Sequence, residues 1–159
     1  MQQSFAYHRT VAPMIWGLAM LAVCEMLLMH LVLASRSPAL RWALLFMSVG
    51  SVFLLVFWIR SFRHFPHLLT TEHLRLHTGL LPPIIVPISA IESVATYWEP
   101  GEHKGDGAAN VVPLAHPNRM LRLKAPIKTR KGLCDRVAFR VDDAAPFDAA
   151  MERLGISVR

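Results

Sequence analysis

The sequence predicts a membrane hairpin of two helices joined to a mostly β domain that ends in one helix. Three observations predict it: two long apolar runs in the first third, a change to period-two alternation after them, and a capped helical repeat at the end. The first run lies between Arg9 and Arg36 and is interrupted only by Glu25 and His30; the second lies between Arg41 and Arg60 and carries no charge. A span needs about 20 mostly apolar residues to cross about 30 Å of hydrocarbon, so residues 14–35 and 40–59 both fit. At 159 residues there is room for one small domain besides the hairpin, and the 53% hydrophobic content reflects the membrane segment. The expected division is residues 1–67 for the N-terminal segment, hairpin and juxtamembrane connector, and residues 68–159 for the cytoplasmic domain.

The first run is too long for a signal-peptide core, and a second span follows it at once, so no cleavage is expected. Arg9, Arg60, Arg63 and Arg75 flank the spans on one side against Arg36 and Arg41 between them, which places both termini in the cytoplasm. Cys24 lies in the first span and Cys134 near the far end, so a disulfide framework is excluded.

Ser37 and Pro38 suit the start of the second helix, as a hydroxyl cap and a first-turn proline. A turn centred near 38 sets Glu25 level with Ser51, with Ser48 one turn away. Glu25 then sits near the bilayer midplane, where a bare carboxylate costs at least ~2.5 kcal/mol; the expectation is a neutral acid bonded to Ser48 or Ser51, or to a partner helix. A proton relay is the alternative. His30, level with Phe46, is a weak candidate for haem or chlorin; with no partner histidine in the other span, no cofactor is expected. Gly17, Ala19, Ala22, Ser48, Gly50 and Ser51 permit close helix packing.

Residues 60–69 form an aromatic and basic connector. Strands follow over 74–79, 84–88 (an edge, because of Pro82, Pro83 and Pro87) and 91–98, then a glycine-rich loop over 99–109. A short strand at 111–114, a turn at 116–118, a strand at 120–124, a basic loop at 128–132 and a strand at 136–141 complete the series. Consecutive strands without a helix indicate an antiparallel barrel or sandwich. The closing helix has Asp142 or Asp143 as N-cap, Pro146 in its first turn, Phe147, Met151 and Leu154 on one face, and Gly155 as its stop. Asp142, Asp143 and Asp148 are read as caps, not catalysts.

The stretch TEHLRLHTGLLPPIIVPISAIESV at 71–94, PNRMLRL at 117–123 and VDDAAPF at 141–147 resemble bacterial pleckstrin-homology-like (PH-like) membrane proteins. The resemblance implies a partly open seven-stranded barrel capped by a C-terminal helix and tethered by a transmembrane pair. It implies binding or scaffolding, and some relatives are linked to assembly of larger membrane complexes, including photosynthetic ones.

Net charge is +6, concentrated between residues 119 and 140. Arg119, Arg122, Lys124, Lys128, Arg130 and Lys131 are the expected contacts for anionic headgroups or a protein partner. Neither stacking aromatics nor a recognition helix accompanies them, so nucleic acid is not expected. His64 and His67 are weak metal candidates disturbed by Pro66, and His73 and His77 are about 13 Å apart on a strand, so surface histidines are expected in place of a metal site. No nucleophile elbow, HExxH or phosphate loop is present, which argues against an enzyme. The expected function is a PH-like scaffold module anchored in the bacterial inner membrane, contacting integral membrane partners. An accessory subunit of a redox or photosynthetic complex is the runner-up, and proton or metal handling a distant third.

Overall fold

A computed structural model describes residues 2–33, 38–112, 115–130 and 132–159. Its elements are β1 (Gln3–Phe5), α1 (His8–Leu33), α2 (Pro38–His64), β2 (His67–Leu69), β3 (His73–Thr78), β4 (Leu81–Pro87), β5 (Ile91–Ala95), β6 (Ala108–Asn110), β7 (Arg119–Thr129), β8 (Gly132–Phe139), α3 (Ala144–Arg153) and β9 (Ser157–Val158). Ser35, Ser37 with its expected cap, Leu114 and Lys131 lie outside the described residues.

Both α1 and α2 are long and apolar enough to cross a membrane. With 26 and 27 residues they measure about 40 Å, roughly 10 Å more than a hydrocarbon core. The excess lies at the domain end. Tyr7, Val11 and Ile15 are buried there against Ile59 and Phe62, with Ala115 of the domain packed on them. The expected spans began at residue 14 and ended at residue 59, yet α1 starts at His8 and α2 runs to His64, so the first half of the expected connector is the last turn of α2. Further along, Leu28, Phe46 and Leu54 point outward and exposed, as lipid-facing side chains do.

The strands form two open sheets, ordered β1-β2-β3-β4 and β6-β8-β7-β5-β9. β1 pairs antiparallel with β2, Gln3 opposite Leu69 and Phe5 opposite His67. The expected division at 67/68 is therefore corrected: residues before the hairpin belong to the sheet domain. Two antiparallel helices of nearly equal length deliver their outer ends side by side, and the flanking segments pair where they emerge.

Alternation holds in β3, where Leu74 and Leu76 are buried and Arg75 is exposed. The β4 prolines lie on an edge strand, where a missing N–H costs no ladder bond. The expected basic loop at 128–132 is instead a hairpin end, with Thr129 paired to Gly132 and β7 reaching it from Arg119 across a register shift between Arg122 and Ile127. Of the strand expected at 111–114, residues 111 and 112 are outside any strand, and β6 lies just before them, starting inside the expected loop. Two pairings are parallel, β5 with β9 and β6 with β8. The chain runs through β7 between β6 and β8, and through several elements between β5 and β9, and these long connections let it return in the same direction. Phe139, Phe147 and Met151 join β3, β4, β5, β7 and β8 in one core, with Phe147 held edge-on between Phe5 and Phe139.

Candidate functional site

Two features stand out, a polar joint between hairpin and domain and an open cleft lined by residues that flank the joint's Gly79. The joint begins at Tyr7, the last residue before α1. Its ring stacks on His67 with centroids 4.3 Å apart and meets the edge of Phe62 at 5.7 Å. Its hydroxyl accepts the Gly79 N–H at 2.8 Å. Burial pushes the Tyr7 phenol up to about 12, against the smaller opposing effect of that bond.

His67 is the centre of the joint. It is 1% exposed; Nε2–H donates to the Arg140 carbonyl at 3.0 Å, and Nδ1 accepts the His77 N–H at 3.1 Å. Accepting at Nδ1 requires the neutral Nε2–H tautomer. Desolvation pushes its pKa down to about 3. The surface histidine and metal candidate expected at 67 is thus corrected, because both ring nitrogens already have backbone partners. His64 ends α2, exposed, and shares no site with it.

Asp142 completes the joint from the domain side. Its carboxylate accepts the Arg9 N–H at 2.9 Å, and its own N–H donates to the Ala6 carbonyl at 2.8 Å. The expected cap of the final helix therefore caps α1, where the helix dipole and free amides favour an anion. Asp143 is the N-cap of α3 without a side-chain bond, and Asp148 pairs with Arg119.

The cleft, about 550 Å³, lies between the start of β4 and the β7–β8 hairpin end. Leu81, Pro83 and Ile85 form one wall, Lys128 and Arg130 the other, and β6 the floor. Leu81 and Ile85 are half exposed, 54% and 48%. Among the described residues neither Lys128 nor Arg130 has an ion pair.

The other expected basic contacts are already occupied. Arg119 makes two bonds to Asp148, at 2.8 and 2.5 Å, and is nearly buried. Arg122 pairs with Glu102 at 3.1 Å, and Lys124 donates to the Ser89 carbonyl at 3.0 Å. The basic stretch is therefore no uniform face, since a twisted hairpin turns alternate residues toward different neighbours.

Along the hairpin, Val23 and Met26 line the seam with Val49 and Val52. At 100° per residue that turns position 25 outward, and Glu25 is exposed. Ser51 donates to its own Met47 carbonyl at 2.9 Å, and Ser48 is half-buried without a bond to Glu25. The expected intrahairpin contact is thereby corrected. His30 is half-buried on α1, and both cysteines are free.

Sequence reasoning missed Tyr7 and the role of Asp142. The available signal for Tyr7 was an aromatic placed directly before a helical apolar run, a position suited to a staple contact. No protein-family model, curated protein or solved structure matches the chain.

Proposed function

We propose that this chain is a membrane-anchored PH-like binding and scaffold module, with the cleft receiving an acidic, apolar segment of an integral membrane partner. The observation that carries this reading is the pairing of two cations that have no ion pair among the described residues with an exposed Leu81–Ile85 wall. An occupant matching both walls satisfies charge and apolar surface together. Open sheets followed by a C-terminal helix support the PH-like reading, and the joint supports the scaffold reading by fixing the cleft relative to the membrane.

The test is purification of the full chain in mild detergent. Leu81→Asp and Lys128→Glu/Arg130→Glu should each strip co-purifying protein while leaving the amount and Tm of the chain unchanged. An unchanged complex in both variants would sink the cleft as the docking site.

Outward-facing Glu25 favours a second reading, an accessory subunit whose hairpin packs inside a larger redox or photosynthetic assembly. Visible absorption in the purified complex, diminished by Glu25→Leu, is the result that would distinguish it. For location, we place the domain and both termini at the cytoplasmic face of a bacterial inner membrane. A cysteine introduced at Ser37 should react with an impermeant reagent on intact cells; reaction only after lysis reverses the orientation.

A further inference from the structure

A second cavity, about 470 Å³, opens between the domain-proximal ends of the two helices. Ala12 and Ile59 form its base, Trp16 one wall, and His8, Arg60 and Arg63 its rim. Arg60 and Arg63 are exposed, and among the described residues neither has an acidic partner within ion-pair distance. Among the described residues no acid lines the cavity.

Val56 lines this cavity and also a purely apolar one of about 270 Å³ deeper along the hairpin. The deeper cavity is walled by Val23 and Met26 of α1 and by Val49, Val52 and Phe53 of α2. At 100° per residue, positions 8, 12, 16, 23 and 26 share one stripe about 80° wide on α1. Positions 49, 52, 53, 56, 59, 60 and 63 share one about 120° wide on α2. The two cavities therefore form one continuous groove, cationic at the domain end and apolar below.

From Val49 to Arg63 the groove runs about 21 Å. One leaflet is about 15 Å of hydrocarbon plus about 5–7 Å of headgroup layer, so the groove has the depth of a single leaflet. Trp16 sits beside its charged end, as interfacial aromatics do. We propose that this groove binds one anionic phospholipid of the domain-side leaflet, with its phosphate at Arg60 and Arg63 and an acyl chain along Val56 toward Val49. A free phosphate leaves the lower half of the groove empty, and a zwitterionic lipid adds a cation beside two arginines. The site is separate from the basic stretch on the sheet domain and from the cleft.

The experiment is native mass spectrometry of the full chain released from nanodiscs of mixed phosphatidylglycerol and phosphatidylcholine. Wild type should retain one phosphatidylglycerol in preference to phosphatidylcholine, and excess inorganic phosphate should not displace it. Arg60→Glu/Arg63→Glu should lower retention about 10-fold or more, as the loss of two interfacial cations implies. Val56→Phe keeps both arginines but fills the groove, and should also lower retention. Lys128→Glu/Arg130→Glu should retain lipid like wild type. Undiminished retention in the Arg60/Arg63 variant or in Val56→Phe overturns the site. Equal loss in the Lys128/Arg130 variant, or displacement by inorganic phosphate, overturns it too, by reducing the effect to general charge attraction.

Discussion

His67→Leu should lower the Tm of the sheet domain by about 10–20 °C at pH 7.5 and make the remaining stability less sensitive to acid. Leucine fills most of the imidazole volume but leaves the Arg140 carbonyl and the His77 N–H without their partners. Each buried unpaired group costs about 1–3 kcal/mol, and the Tyr7 stack is lost as well. For a domain of this size each kcal/mol shifts Tm by about 4–8 °C.

The pH dependence has a definite sign. Folded His67 is held neutral down to about pH 3, whereas the unfolded residue takes a proton near 6.5. Below 6.5 the unfolded state thus binds more protons, so the stability from His67 is full above 6.5 and is lost as pH falls toward 3. The slope approaches about 1.4 kcal/mol per pH unit inside that window. His77, lowered mainly by burial, acts in the same direction. At the alkaline end Tyr7 works oppositely: the unfolded phenol ionises near 10 and the folded one near 12, so stability falls as pH rises through that interval. Near-UV circular dichroism of the detergent-solubilised chain from pH 4 to 8 measures the acid limb. An identical slope in wild type and His67→Leu would remove His67 as its source.

The large divisions of this fold were legible because they follow from short-range patterns. Two apolar runs announce two long helices, alternation at Leu74 and Leu76 announces a half-buried strand, and Phe147 and Met151 announce the closing helix. What the sequence hid is what long-range pairing decides. Gln3–Phe5 is too short to show a strand pattern of its own, yet becomes a strand because the hairpin returns His67–Leu69 beside it. Asp142 stands at a plausible cap for the helix that follows, yet bonds a helix 133 residues earlier. The basic stretch showed how many cations there are but not which have acids. Arg119 and Arg122 are paired to Asp148 and Glu102, 29 and 20 residues away, and only folding brings them together. Lys128 and Arg130 stand out only after those pairs are made.

Gly79→Ala tests whether the joint orients the cleft. Gly79 has φ +57°, and a Cβ placed there would lie 2.9 Å from Ser61 Oγ and 3.1 Å from the Phe62 ring. Neither neighbour can yield easily. The Ser61 hydroxyl is fixed on the Trp58 carbonyl at 2.6 Å, and Phe62 is packed between Tyr7 and Trp58. The left-handed backbone costs an alanine about 1–2 kcal/mol and the overlap about 1–3 more, so about 2–5 kcal/mol in all is expected. Relief comes by lifting the β3–β4 turn off α2, and Leu81, two residues on, carries the cleft wall with it. Tyr7→Phe is the milder companion, removing the acceptor of the Gly79 N–H while keeping the stack on His67. Both variants should lower Tm, Gly79→Ala more, and Gly79→Ala should also release the partner that Leu81→Asp releases, because the apolar wall no longer stands opposite Lys128 and Arg130. Full partner retention at a clearly lowered Tm would mean that the domain binds without being held at a fixed angle to the membrane, and the joint would then serve stability alone.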